Sequence, residues 1–477
     1  REGEEGVKEA KRFLGSVGSL FFAVVLTVSA VAFFAMPYLA RFIAPGFGEK
    51  EMVELITLSR ILLLSPIILG ISNLFGSITQ VFKQFFVYAL APVLYNAGII
   101  AGILIGYPLF GLKGLVYGVI LGALLHALIQ FPVVAERRLL PRFSFNVDFK
   151  SVKEVIKLSL PRTVTLSVSL LSFIVLIAIA TLIEKGSVSV LNLSFNLQSV
   201  PLSIVGVSYS LAAFPTLAGL YSRGMRGEFA VHIVSALRHI IFWSLPISAL
   251  FIVLRAQIVR VVLGSGAFSW TDTRLTAAAL ALFIVSLVAQ GAVLILVRGF
   301  YAAGETRIPL YINVFFAILT ATLGFFLIKI FNQVPFVKYF TESLLRVDGL
   351  RGTSLLMLPF AYTIGILANA FTLWVYFESR YLDSIPKALT RTTFESFSAA
   401  IVSGFGAYLA LTIFGKIFSL DTFWGIFSQG FFAGLIGIFA GVIVLVALKS
   451  EEFADIVKAL RARFWKAEVI APEPTEL

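Results

Sequence analysis

Long apolar runs alternate with short polar intervals along nearly all of the 477 residues. A helix crossing the hydrocarbon core needs roughly 20 consecutive apolar residues, and about twelve stretches meet that requirement. They lie near 15–43, 55–82, 86–108, 112–134, 154–183, 188–220, 231–254, 273–300, 308–331, 353–379, 393–415 and 423–448. Each is too long and too continuously apolar for a barrel strand, which would alternate over about ten residues. The pattern predicts an all-α polytopic membrane protein.

Composition agrees and removes the alternatives. Hydrophobic residues make up 59% and charged residues 13%, where soluble domains carry about a quarter charged. The net charge of +12 does not indicate nucleic acid, because the basic residues sit between the apolar runs. About twenty Lys and Arg fall in one set of loops and roughly half as many in the other; the positive set belongs to the cytoplasm. Both ends of the chain are therefore expected there. The interval 135–153 reads as a linker between two halves, and 332–351 as an external insertion near the membrane surface, with Phe336, Tyr339 and Phe340 among Lys338 and Arg346. From Glu451 the tail pairs Phe453, Ile456, Val457 and Leu460 with Lys458, Arg461 and Arg463. That pattern predicts an amphipathic surface helix held by membrane lipids.

A weak internal repeat is visible. Ile43–Phe47 follows the first span and Gly264–Phe268 the seventh, an offset of about 221 residues. Gly111-Leu112-Lys113-Gly114 opens the fourth span and Gly349-Leu350-Arg351-Gly352 the tenth. The second half begins with two spans that have no counterpart in the first. This inequality predicts two further spans upstream of Arg1, hence about 12 of 14 spans in this sequence; the competing reading is a twelve-span protein whose halves resemble each other by chance.

Several local words resemble the MurJ (MviN) lipid II flippases of the multidrug/oligosaccharidyl-lipid/polysaccharide exporter superfamily. They are Ala44-Pro45-Gly46-Phe47, Arg60-Ile61-Leu62 with Pro66, Gly186-Ser187-Val188-Ser189, Phe214-Pro215-Thr216-Leu217, and Gly299-Phe300-Tyr301-Ala302-Ala303-Gly304-Glu305-Thr306-Arg307-Ile308-Pro309. Their order and spacing carry the likeness along the chain. It implies two six-helix bundles plus two extra helices. On that plan, 1–134 holds the rest of the first bundle (family helices 3–6) and 135–153 is a cytoplasmic linker. The second bundle is 154–379 (helices 7–12), the additional pair 380–449, and the cytoplasmic tail 450–477. The resemblance also implies translocation of lipid II, the lipid-linked peptidoglycan precursor, across the bacterial plasma membrane by alternating access. It implies a monomer without cofactor, metal or nucleic-acid partner.

Moving a lipid diphosphate demands cations inside the membrane, and Arg suits phosphate because its planar fork binds two oxygens and stays charged. Arg162 follows Pro161 about 12 Å inside its span, beside Thr163, Thr165, Ser167 and Ser169; the competing reading is snorkelling to the headgroups. The next span carries Asn192, Ser194, Asn196, Gln198 and Ser199. The family usually has an Arg in this helix where the present sequence has Asn196, so the charge is placed at Arg162 instead. Interhelical packing of amides competes with substrate contact there. Arg60 reads as a substrate contact or an interfacial anchor, and Arg298 as a gate contact or one half of an ion pair with Glu305. Arg255 and Arg260 are expected to be solvated. His126 and Gln130 lie one turn apart and read as a hydrogen-bonded pair before a proton relay. No carboxylate lies clearly in mid-span, which disfavours a proton-coupled drug antiporter. A flippase for another polyprenyl-diphosphate saccharide remains the nearest alternative. A membrane glycosyltransferase would need paired carboxylates or a metal site, and the pattern offers neither.

Overall fold

The computed structural model describes residues 4–137, 139–140, 170–382 and 387–465, and every regular element among them is a helix. Ten of these helices are long and apolar enough to cross a membrane, and a bent pair makes an eleventh. Of the twelfth expected stretch, 154–183, the described part is helical over Leu170–Thr181. The chain divides into two compact units, Arg1–Thr163 and Val164–Leu477.

The first unit contains α1 (Glu4–Ile43), α2 (Glu49–Leu62), α3 (Leu64–Val81), α4 (Phe85–Ala101), α5 (Tyr107–Phe110), α6 (Leu112–Leu128) and α7 (Phe131–Glu136). A π turn, Gly102–Gly106, joins α4 to α5. Pro108 follows it and lacks the N–H that a continuous helix would use. Small residues let membrane helices approach closely, and here the device is a glycine seam. Gly98, Gly102 and Gly106 face Gly122, Gly118 and Gly114 on α6. A Cβ at Gly102 or Gly118 would run into the partner glycine's backbone. Gly111, with φ 60°, turns the chain between α5 and α6. Gly349 opens the corresponding repeat word with φ 73°, so both words start on a glycine at positive φ.

The second unit contains α8 (Leu170–Thr181), α9 (Ser187–Leu202), α10 (Ser208–Ser222), α11 (Arg226–Leu263), α12 (Trp270–Ile284), α13 (Leu287–Ala302), α14 (Arg307–Gln333), α15 (Pro335–Leu345), α16 (Met357–Tyr381), α17 (Lys387–Phe414), α18 (Phe423–Ala447) and α19 (Glu451–Trp465). Its core has two main parts. One gathers Leu176, Leu191, Phe283, Phe331 and Leu358; the other gathers Phe229, Ile233, Ile240, Phe300 and Phe377. Outward faces are just as apolar: Ile318, Phe325, Phe371 and Phe439 are all exposed. An apolar exterior on this scale fits hydrocarbon and not water.

The stretch 273–300, expected as one span, is the pair α12 and α13 bent by 44°. No proline causes the bend. Ser286 Oγ donates to the carbonyl of Phe283 at 2.7 Å, and Gln290 Nε2 donates to Ser286 Oγ at 2.8 Å. Side chains thus enter the backbone ladder at the break, a recognised cause of sharp kinks. The span expected over 231–254 also runs longer, as α11 continues to Leu263. Arg255 and Arg260 are therefore not solvated as expected: both are half-buried on α11, and each donates to backbone carbonyls.

The tail helix α19 is anchored by protein as well as by amphipathic character. Phe453 and Ile456 pack against Phe242, Ala399 and Leu445. Buried Glu452 accepts from Arg238 at 2.8 Å and from Thr392, while Glu451 pairs with Arg238 at 2.9 Å and Arg391 at 3.4 Å. Burial alone would raise the Glu452 pKa, but the bonds from Thr392, its own backbone N–H and Arg238 outweigh it and hold the carboxyl below the ordinary carboxylate range.

Candidate functional site

Polar residues on α9 divide between two faces. Ser194 and Gln198 point inward and are buried. Asn192, Asn196, Ser199 and Ser203 recur at helical spacing on the other side, half-buried or exposed. Within this second stripe the short side chains satisfy themselves on their own helix. Asn192 Nδ2 donates to Val188 O at 3.0 Å, Ser199 Oγ to Asn196 O at 2.7 Å and Ser203 Oγ to Ser199 O at 2.8 Å. The Asn196 amide is exposed and makes no hydrogen bond within the described residues. Exposed amides are not tolerated against hydrocarbon, so this stripe suits a water-filled or substrate-filled space.

Inward, Gln198 joins a network at the α12–α13 bend. Gln198 and Gln290 exchange amide hydrogen bonds, with Gln198 Nε2 donating at 3.4 Å and Gln290 Nε2 at 3.0 Å. Tyr362 Oη donates to Gln290 Oε1 at 3.3 Å. Such a network ties α9, α13 and α16 together where the backbone breaks. Next to it lies a cavity of about 180 Å³ lined by Ser172, Phe195, Asn313, Thr320, Tyr362 and Asn369. Asn369 Nδ2 donates to Asn313 Oδ1 at 2.9 Å, and Asn369 Oδ1 has no partner among the described residues. This space is smaller than the roughly 300 Å³ at which organic-ligand pockets begin; its neutral amides suit water. Among the described residues no group of His, Asp or Glu could hold a metal ion.

The expected cations lie in several places. Arg162 lies outside the described residues. Arg60 Nε donates to Phe33 O at 3.1 Å and its guanidinium lies 4.7 Å from the Phe33 ring centroid, so it ties α2 to α1. Arg298 is half-buried near the end of α13. Glu305, in the turn that follows, pairs with Arg380 of α16. In the first unit, Ser72 Oγ and His126 Nδ1 are 2.6 Å apart, and Gln130 Nε2 donates to Ser72 Oγ at 2.8 Å. His126 and Gln130 thus share a hydrogen-bonded cluster with α3. Sequence reasoning missed Gln290, Asn313, Tyr362 and Asn369. For Gln290, Asn313 and Asn369 the signal was available, as isolated amides within long apolar runs; Tyr362 carries no such mark.

These features define a class: a multi-pass helical membrane protein with amides buried between its helices and a further polar stripe on α9. The backbone superposes on a solved structure titled "Lipid II flippase MurJ, inward closed conformation" with TM-score 0.70, covering 96% of this chain and 86% of that one at 20% identity. It also superposes on an inward-facing multidrug resistance MATE family transporter of the MOP superfamily, TM-score 0.62 and 16% identity, over 81% and 89% of the two chains. At those identities the likeness is one of fold. The family model described as "Lipid II flippase MurJ" matches residues 1–428, and the chain belongs to that family. A curated relative from Rickettsia prowazekii (strain Madrid E), named "Probable lipid II flippase MurJ", is 28% identical over 69% of this chain and 65% of its own. One of the same name from Thermotoga maritima is 25% identical over 72% and 70%. The chain thus spans about 65% of the length of the first such relative.

Proposed function

We propose that this protein translocates lipid II, the undecaprenyl-diphosphate-linked peptidoglycan precursor, from the inner to the outer leaflet of the bacterial plasma membrane. The observation that carries the reading is the family match over residues 1–428. The fold shared with a MurJ structure supports it. Alternating access is the mechanism: the polar stripe of α9 faces the headgroup path, and bending at the α12–α13 break accompanies the switch. Arg162 supplies the main diphosphate contact, with Asn192 and Asn196 bonding phosphate or sugar. Gln198, already engaged with Gln290, shapes the path from behind, and Arg298 and Arg60 serve at its two ends. Both ends of the chain lie in the cytoplasm, as the excess of Lys and Arg in one loop set implies. The first bundle is 1–134, the second 154–379 and the additional helix pair 380–449, and the protein acts as a monomer.

Genetic rescue tests this. Expressed from its complete gene in bacteria depleted of their own lipid II flippase, the protein should restore growth, and Arg162→Ala at equal expression should lower rescue at least tenfold, the loss of one charge-assisted phosphate contact. Failure of the unaltered protein to rescue would remove lipid II as substrate; full rescue by Arg162→Ala would remove only Arg162.

A further inference from the structure

At the end of the second unit where α11 and α17 finish, three arginines converge on one cleft. Arg255 on α11 donates to the carbonyls of Ile252 and Leu345, each at 3.3 Å. Arg274, in the first turns of α12, donates Nε and Nη2 to the carbonyl of Arg346 at 3.0 and 2.5 Å. Two adjacent carbonyls at the end of α15 are thus gripped by two guanidinium groups. Arg346, held there with φ 59°, contributes a third. All three line an open cleft of about 710 Å³ between α11, α12, α15 and α17. None has a carboxylate partner among the described residues. Of the acids nearest in sequence, Asp272 caps α12 through Ser269, Glu342 is buried and accepts from Thr353, and Asp348 is exposed and unpaired.

We propose that this cleft binds the phosphate of an anionic phospholipid. Like charges held together by backbone contacts repel unless an anion joins them, and the guanidinium fork matches phosphate oxygens. The remaining walls favour a lipid over a soluble anion. Val253 and Leu344 line the cleft, and Trp270 and Tyr408 flank it, both substantially exposed. Aromatic residues of that kind mark the headgroup level of a bilayer. On α15, Phe336 and Phe340 stack at 6.0 Å on an exposed face, ready for acyl chains. A zwitterionic headgroup would bring an ammonium into a site already carrying unpaired positive charge. The cleft is a separate site from the α9 stripe, and its occupancy does not depend on which lipid the protein transports.

The test is lipid retention by the full chain in neutral detergent, read by native mass spectrometry. Short-chain phosphatidylglycerol, short-chain phosphatidylcholine and inorganic phosphate are titrated separately. Phosphatidylglycerol should bind in clear preference to phosphatidylcholine, and inorganic phosphate should compete weakly. Arg346→Gln and Arg274→Gln should each weaken phosphatidylglycerol binding roughly fivefold, the effect of one basic residue at a lipid surface, while Arg346→Lys should keep it. Among the described residues the Arg346 side chain holds no hydrogen bond, so its variant decides the matter even if Arg274→Gln fails to fold. Equal binding of the two lipids, unchanged binding in Arg346→Gln, or inorganic phosphate binding as tightly as phosphatidylglycerol would each overturn the proposal.

Discussion

Gln290 shows how one side chain can fix a break in a membrane helix. It bonds Ser286 within its own bend, Gln198 on α9 and receives the hydroxyl of Tyr362 on α16. Gln290→Leu should strand the Gln198 amide and the Tyr362 hydroxyl and cost about 1–3 kcal/mol, while the double variant Gln198→Leu/Gln290→Leu should cost less than the sum of the two single changes. Thermal unfolding in detergent measures both. Additive losses would show that the amide pair is not coupled. Residue chemistry was partly legible beforehand. Asn192, Asn196 and Gln198 stood out because amides are rare in apolar runs. That Gln198 turns inward while Asn196 turns outward required the helix's position among its neighbours. The same is true of Arg255, whose expected solvation gave way to a carbonyl of α15, 90 residues away in sequence.

At the scale of elements, close packing and charge act at different places. The α4–α6 seam depends on absent side chains. Gly118→Ala should push the helices apart and cost about 1–3 kcal/mol, as overpacking does. Gly219→Ala on α10, where a Cβ meets nothing within 4 Å, should instead stabilise by roughly 0.5–1 kcal/mol. Comparing the two melting temperatures checks both signs. Helix α19 depends on charge. Because Glu452 titrates below the ordinary carboxylate range when folded, its contribution is complete above that range and is lost as pH falls through the lowered folded value. Hydrogen-exchange protection factors over 451–459, taken relative to the intrinsic rate at each pH, should therefore be high at neutral pH and fall in acid, and Glu452→Gln should already show lower protection at neutral pH. Spans were legible because a bilayer requires a run of apolar residues that no soluble helix needs. The 44° bend was not, since it arises where Ser286 and Gln290 enter the backbone ladder of their own helix, with Gln290 held there by Gln198 and Tyr362 on other helices.

For the whole molecule, the apolar runs and the charged loops predict a polytopic membrane protein, and the MurJ-like words point to the family whose model matches residues 1–428. Gly111 and Gly349, which open the two matching words, both have positive φ, at 60° and 73°. Arg162, the residue on which the sequence places most of the phosphate chemistry, lies outside the described residues, so its role rests on function and not on geometry. The central claim is movement of lipid II across a bilayer. Its most direct measurement is transbilayer transfer in proteoliposomes containing the full protein and headgroup-labelled lipid II, with label on the outer surface destroyed by a membrane-impermeant reagent. The account predicts that label initially shielded inside becomes accessible faster than in protein-free vesicles, with Arg162→Ala slowing the transfer. Accessibility no faster than in empty vesicles, from protein shown to be folded and inserted under the conditions that energise it in cells, would contradict the account.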